Sequence, residues 1–522
     1  MSGTSTTMAG SHVTGATFRY ATGPEDVISE SGGIDDVSFT AEPGTVTVLC
    51  GPSGSGKSTA LRLLNGLIPH FHRGRLSGGV RVGDLDVPAS PLHAAAGSTA
   101  TVFQNPRTQF FTPTVLGDLA FAPENLGVDP GVIRRRIADA AAATGIGPLL
   151  GRDLAGLSGG ELQRVACACA MASGARTLLF DEPTSNLSPS GIRELRGIIA
   201  RLKDDGNAIV VAEHRLHFLA GLADRVVLLR DGAVARTFTG DEFFGMPDAE
   251  RRDAGLRRLG PPQASAPRGR RNPDAAAAGT DDGSGPTSGL VLRDVRFSYG
   301  HRRVLDIPHL AFPAGRVTAL TGPNGAGKST LARIACGLSS PEKGGTVEFD
   351  GAPASAKALR REGYMVMQDT GRQLFAESVA EEVTLGLPRH RRGTVDVPSV
   401  LAEFDLSGLG DRHPHSLSGG QRQRLVIASA SVQDKRIHIL DEPTSGVGLD
   451  HLTAIAGHMR GLADAGAVVI VITHDDELID ACADHVIDLS DPAINHAPAI
   501  PGSDPTNDCG ASSAPEGTDH DS

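Results

Sequence analysis

The sequence predicts an α/β protein built twice over, and three observations predict it. The run Gly51-Pro52-Ser53-Gly54-Ser55-Gly56-Lys57-Ser58-Thr59 recurs as Gly322-Pro323-Asn324-Gly325-Ala326-Gly327-Lys328-Ser329-Thr330. Two further motifs recur at matched spacing. Ser158-Gly159-Gly160 returns as Ser418-Gly419-Gly420, and Asp181-Glu182 as Asp441-Glu442, with 24 residues from Ser158 to Glu182 and from Ser418 to Glu442. His214 and His474 each follow their glutamate by 32 residues. Third, an apolar run (45–50, 316–321) enters each glycine loop, and apolar residues at helical spacing leave it: Leu61, Leu64, Leu67 and Ile68, then Leu331, Ile334 and Leu338. Strand, glycine loop, helix is the order expected of a buried parallel strand feeding a crossover helix.

A chain of 522 residues could hold two to four domains, and the duplication selects two. The expected boundaries are a disordered tail over 1–12, a first domain over 13–250, a flexible linker over 251–289, a second domain over 290–490 and a disordered tail over 491–522. The linker's Pro, Gly, Ala and small polar residues leave little to bury. The net charge of −12 speaks against non-specific nucleic-acid binding, which draws on excess Lys and Arg. Six cysteines without a CxxC pair read as small buried thiols in a reducing cytosol. Neither a signal peptide nor an apolar run of the ~18–20 residues needed to cross a bilayer is visible, so any transport role would borrow its membrane path from another chain.

The glycine loops explain themselves chemically. Glycines let the backbone curl so that successive N–H groups point at one anion, helped by the N-terminus of the following helix. The pattern of Gly51 to Thr59 and of Gly322 to Thr330 is therefore a phosphate loop, with Lys57 or Lys328 reaching the β- and γ-phosphates and Ser58 or Ser329 placing its hydroxyl on Mg²⁺. A largely apolar strand delivers Asp181 or Asp441 to the metal, where the cation offsets its desolvation. Glu182 or Glu442 then sits near the γ-phosphate, placed to polarise an attacking water.

Together these motifs resemble the ATP-binding-cassette (ABC) ATPase family, over both units and most of the chain. The resemblance implies two tandem P-loop ABC nucleotide-binding domains, each a mixed-sheet core with a helical subdomain, using ATP and Mg²⁺. It also implies roles by position. Tyr20 and Tyr299 lie where an aromatic stacks on adenine, although a tyrosine at a strand end can equally be packing. Gln104 and Gln368 match the glutamine that touches Mg²⁺ and water. His214 and His474 match the histidine that contacts the γ-phosphate. Glu182, Glu442, His214, His474, Gln104 and Gln368 are thus the expected catalytic set, and Ser58, Gln104, Asp181, Ser329, Gln368 and Asp441 the Mg²⁺ set. In the family, the signature loop of one domain closes on nucleotide held by the other. Ser418, Gly419 and Gly420 would complete the first site, and Ser158, Gly159 and Gly160 the second; both sites are expected to hydrolyse ATP. One departure stands out. The family's aspartate after Pro-Thr-Ser-x-Leu is Ser188 in the first unit, and the second unit reads as two residues longer before Asp450.

After each glutamine, Gln104-x4-Gln109-Phe110-Phe111 and Gln368-x4-Gln373-Leu374-Phe375 continue to Val115 and Leu119, and to Val379 and Val383. The latter pairs form an apolar stripe that could meet a partner or pack on the helical subdomain. This pattern resembles the ATPase subunits of energy-coupling-factor importers. It implies an integral membrane coupling subunit, a substrate-capturing membrane subunit, and a peripheral place on the cytoplasmic face of the membrane. Its cargo would be a vitamin, a vitamin precursor or a transition-metal ion. The alternative is a soluble double-cassette ATPase acting on ribosomes. In such proteins the inter-domain segment is a long charged helical hairpin, unlike the Pro- and Gly-rich stretch before Gly289. No nucleic-acid partner is expected.

Overall fold

The computed structural model describes residues 10–22, 27–28, 32–185, 187–260 and 288–498. The expected tails over 1–9 and 499–522 and the linker over 261–287 lie outside the described residues. Each half pairs an antiparallel sheet with a second, largely parallel sheet. In the first half, Ser11–Thr22 pairs with Ile34–Ala41 and Gly74–Val82. The second sheet runs Ala233–Thr239, Arg225–Arg230, Val46–Cys50, Ala208–Ala212, Thr177–Asp181, Thr99–Val102; only the first pair is antiparallel. In the second half the matching parallel order is Gly363–Val366, Ile437–Asp441, Val468–Ile472, Arg316–Thr321, His485–Asp488.

Central strands such as Val46–Cys50, Ala208–Ala212 and Val468–Ile472 are buried along their whole length, which is why they read as unbroken apolar runs rather than alternating ones. Helices cover both faces. Helix Lys57–Leu64 seats Leu61, Leu63 and Leu64 against the strands, while Pro189–Asp204 closes the other side through Ile192, Leu195 and Ile199. Helices Val115–Asn125, Pro130–Thr144 and Gly159–Ser173 form a separate helical layer with its own core. The second half repeats it with Val379–Thr384, Val397–Glu403 and Gly419–Ser431. Val115, Leu119, Val379 and Val383 are all fully buried in these layers, so the stripe packs on the helical subdomain.

Three expectations are corrected. Strand Ser11–Thr22 begins inside the segment expected as a tail. Residues 251–260, expected as linker, complete helix Asp248–Asp253 and then run on irregularly, burying Leu256 and Leu259 in the first core. Residues 491–498, expected as disordered, fold back: Asn495 Oδ1 accepts from Asp306 N at 2.9 Å, and Ile494 is buried. In each case a few apolar or hydrogen-bonding residues suffice to order a segment whose average composition is polar and small. Among the described residues no helix is long and apolar enough to cross a membrane.

Candidate functional site

Both glycine loops lie at the carboxyl ends of parallel strands, where open α/β sheets place their ligands. Gly51 has φ +137°, and a Cβ there would lie 2.0 Å from Leu229 O, so only glycine fits the entry to the loop. Lys57 and Lys328 are buried and held from behind. Lys57 Nζ donates to Gly51 O and Pro52 O at 3.0 and 2.8 Å; Lys328 Nζ donates to Gly322 O and Pro323 O at 2.5 and 3.0 Å. Burial lowers the pKa of both lysines.

The hydroxyl and the strand-end aspartate meet in each half. Ser58 Oγ donates to Asp181 Oδ1 at 2.9 Å, and Ser329 Oγ to Asp441 Oδ2 at 2.9 Å. Burial, then the neighbouring Glu182, push Asp181 up to about 6, the state of a carboxylate short of positive charge. A hydroxyl and a carboxylate converging on one point, with spare negative charge, is a donor set that suits a hard divalent cation such as Mg²⁺.

Glu182 and Glu442 sit one residue on, in left-handed backbone at φ +45° and +50°. Burial raises both carboxyls to about 7. Gln104 Nε2 donates to Glu182 Oε2 at 2.7 Å, and His214 Nε2 lies 3.5 Å from Glu182 Oε1. His214 is buried and its pKa falls well below the usual value, through burial and then Lys57; His474 falls to about 4 for the corresponding reasons. Both imidazoles are therefore neutral near pH 7.

A cleft of about 340 Å³ opens over the second loop, lined by Asn324, Gly325, Gly327, Lys328, Ser329, Thr330, Gln368, Asp441, Glu442, His474 and Tyr299. Tyr299 is 55% exposed there, whereas Tyr20 is half-buried, edge-on to Phe18 and His72, with its hydroxyl 3.0 Å from Thr59 Oγ1. Tyr299 makes corresponding contacts, edge-on to Phe297 with its hydroxyl 3.4 Å from Thr330 Oγ1, so the two tyrosines differ chiefly in exposure. Arg302 also lines the cleft. Sequence reasoning passed over it, because a basic residue in a strand carries no motif.

The halves meet head to tail at the first site. A Cβ on Gly419 would lie 3.2 Å from Gln104 Oε1, and Gly448 N donates to Ser53 Oγ at 3.4 Å. The residues that line the cleft over the second loop belong to the second domain, and Ser158, Gly159 and Gly160 are not among them. Each signature serine is engaged in its own helix: Ser158 with Glu161 and Ser418 with Gln421 form reciprocal capping boxes.

The loop after Thr444 corrects the sequence expectation of two extra residues. Helices Pro189–Asp204 and Leu449–Asp464 start 260 positions apart, so Gly448 takes the helix-capping place of Ser188. The loops are equal in length, and the expected aspartate is replaced by serine in one and glycine in the other. Sequence reasoning also missed Glu213, Arg215 and Asp475. Glu213 accepts from Thr184 Oγ1 and from His214 N, whereas in the second half Thr444 Oγ1 donates to Asp475 Oδ2 at 2.6 Å. A charged residue beside each histidine, inside an otherwise apolar strand end, was the available signal.

The Gln-x4-Gln segments have a structural logic. Gln109 Oε1 accepts from Phe103 N and Gln373 Oε1 from Met367 N, each at 2.9 Å, which closes the loop after the first glutamine. Buried Asp118 accepts from Phe111 N, and buried Glu382 from Phe375 N, each at 2.8 Å. The outcome is a braced turn carrying Phe111 at 74% and Phe375 at 76% exposure. Phe111 stacks on Phe121 with centroids 4.8 Å apart.

A family described as ABC transporter matches residues 34–185 and 305–445. The chain is 38% identical over 455 residues to a Treponema denticola protein provisionally named as an ABC transporter ATP-binding protein, across 87% of this chain and 91% of that one. It is 32% identical over 512 residues to a similarly named protein of Methanosarcina acetivorans, across 88% and 82%. An archaeal ribosome recycling factor, solved in complex with a ribosomal stalk protein, superposes with TM-score 0.56 at 23% identity, over 91% of this chain and 87% of that one. A structure described as RNase-L inhibitor gives 0.56 at 22%, over the same shares. At these identities the two structures speak for the fold.

Proposed function

Because the chain belongs to the ABC transporter family, whose ATPase domains use ATP with Mg²⁺, we propose that it is the ATPase subunit of an energy-coupling-factor type importer. On this reading it sits at the cytoplasmic face of the membrane and powers uptake of a vitamin, a vitamin precursor or a transition-metal ion. Separate coupling and substrate-capturing membrane subunits supply the path. The observation that supports it is the pair of braced, exposed phenylalanines, Phe111 and Phe375, at equivalent places in the two halves. An aromatic ring held rigidly in water by buried carboxylates is what a docking surface for an apolar helix requires.

The residues then act as follows. When bound, ATP supplies the phosphoryl group and Mg²⁺ offsets its charge. Lys57 and Lys328, already oriented by loop carbonyls, meet the β- and γ-phosphates with the backbone N–H groups of 51–59 and 322–330. Ser58 with Asp181 and Gln104, and Ser329 with Asp441 and Gln368, would hold the metal. Glu182 and Glu442 would orient and polarise water, and neutral His214 and His474 would hydrogen-bond the γ-phosphate. Ser418, Gly419 and Gly420 cover the first site; Ser158, Gly159 and Gly160 cover the second when it shuts.

Affinity purification of the tagged chain from detergent-solubilised membranes tests the reading. Recovery of an integral membrane partner, lost in the Phe111→Asp, Phe375→Asp double variant, is expected. Co-sedimentation with ribosomes and no membrane partner would favour the translation-factor alternative instead.

A further inference from the structure

The segment that follows the first domain's last strand does not trail away. Leu256 and Leu259 anchor it in the first core, and Arg230 Nη2 donates to Asp253 O at 2.9 Å. From that anchor two arginines reach the second domain. Arg257, 4% exposed, donates to Asp475 Oδ1 through Nη2 and to Glu477 Oε2 through Nε at 2.7 Å. Arg258 donates from its backbone to Glu477 Oε1 at 2.9 Å and from Nη1 to Asp480 Oδ2 at 2.7 Å.

We propose that residues 248–260 are a latch between the two domains, and that Arg257 is a positioning residue for Glu442. The connection can be followed atom by atom. Asp475, gripped by Arg257, donates through its own N–H to Thr473 Oγ1 at 3.1 Å, and Thr473 Oγ1 donates to Glu442 Oε2 at 3.3 Å. Asp475 Oδ2 also accepts from Thr444 at the head of the interdomain loop and lies 3.4 Å from Arg215 Nη2. One buried carboxylate thus ties the residue after His474, the loop after Glu442 and the first domain together.

The first site's glutamate has no matching relay among the described residues; Asp475 reaches that site through Arg215, the residue after His214, at 3.4 Å. Thr473 is matched there by Glu213, whose hydrogen-bond partners among the described residues are Thr184 and His214 N of its own domain. The segment that follows the second domain, 491–498, returns to its own strand at Asp306 rather than crossing. The hydrogen-bonded relay to a glutamate is therefore confined to the second site, and the latch acts chiefly there. Loss of Arg257 removes the nearer of the two guanidiniums that offset buried Asp475 and leaves Arg215 at 3.4 Å, so the carboxylate is drawn away from its place below Thr473. A shift of about 1 Å in a positioned catalytic group costs on the order of a hundredfold in rate.

The inference rests on the proposed role of Glu442. Single-turnover hydrolysis is measured with Arg257→Ala in a Glu182→Gln background, which reports the second site, and in a Glu442→Gln background, which reports the first. The second site is expected to slow by about tenfold or more and the first by less than about threefold. Arg257→Lys keeps a charge by Asp475 without bridging to Glu477 and should recover part of the rate. Equal slowing in both backgrounds, or none, overturns the latch. Should Arg257→Ala fail to fold, the more exposed pair decides: Arg258→Asp should slow the second site, and Arg258→Asp with Asp480→Arg should restore it. No difference between backgrounds there overturns the latch as well. If Glu442→Gln alone leaves turnover intact, the role of Glu442 fails rather than the contact.

Discussion

Gln104 Nε2 donates to Glu182 Oε2 across 2.7 Å, and the other domain lies directly on that hydrogen bond. A Cβ placed on Gly446 would stand 2.4 Å from Gln104 Nε2 and 2.5 Å from Glu182 Oε2. The backbone of the second domain's loop thereby packs directly against the first site's acid and amide.

Gly446→Ala should therefore obstruct closure at the first site. Its φ of +70° adds strain to the clash. Turnover is expected to fall by roughly tenfold or more while nucleotide binding to the second domain's loop persists. Steady-state hydrolysis beside equilibrium ATP binding checks this; wild-type turnover would mean the loop does not bear on Glu182.

Glu182→Gln and Glu442→Gln keep shape and remove the carboxylate. Each should slow hydrolysis at its own site by about 10²- to 10⁴-fold, and the double variant should retain ATP uncleaved. Retention on a desalting column with Mg²⁺ present is the measurement, and ordinary release of ADP by the double variant would remove the assigned role.

Lys57→Ala leaves the carbonyls of Gly51 and Pro52 without their cation. ATP affinity at the first site should drop by about tenfold or more, with the second unaffected. Calorimetric titration should then show one strong site in place of two.

Asp475 gives an acid-dependent stability. Burial alone would raise its pKa, but Arg257, Arg215 and the Thr444 hydroxyl bring it down to about 2. Because the folded value lies below the unfolded one, the stabilisation is complete above about pH 4 and disappears as pH falls from there toward 2. It amounts to about 2 kcal/mol. Denaturant midpoints measured between pH 5 and 2.5 should show a steeper acid loss in the wild type than in Asp475→Asn.

The duplicated loops, the strand-end acids and the histidines were legible in sequence because each is a local pattern with one geometric outcome. Strand, glycine loop and helix fix where Lys57 and Ser58 can point. Arg257, Glu213 and Asp475 were not legible, since their meaning lies in partners 29 to 260 residues away. Segment 251–260 misled for a different reason: its surroundings are rich in Gly, Pro and Ala, yet Leu256 and Leu259 are enough to anchor it. The equal length of the loops at Ser188 and Gly448 shows only in the helix starts, because the nearest aspartate in sequence, Asp450, lies two positions beyond the cap.

Arg215 and Asp475 stand at the same place in the two repeats, directly after His214 and His474, and they face each other across the boundary at 3.4 Å. Two identical copies of either half could not make this contact, for a twofold axis would set guanidinium against guanidinium or carboxylate against carboxylate. Fusion into one polypeptide freed the twin positions to take opposite signs. Self-association of like halves is thereby penalised, and each molecule is steered toward embracing its own counterpart.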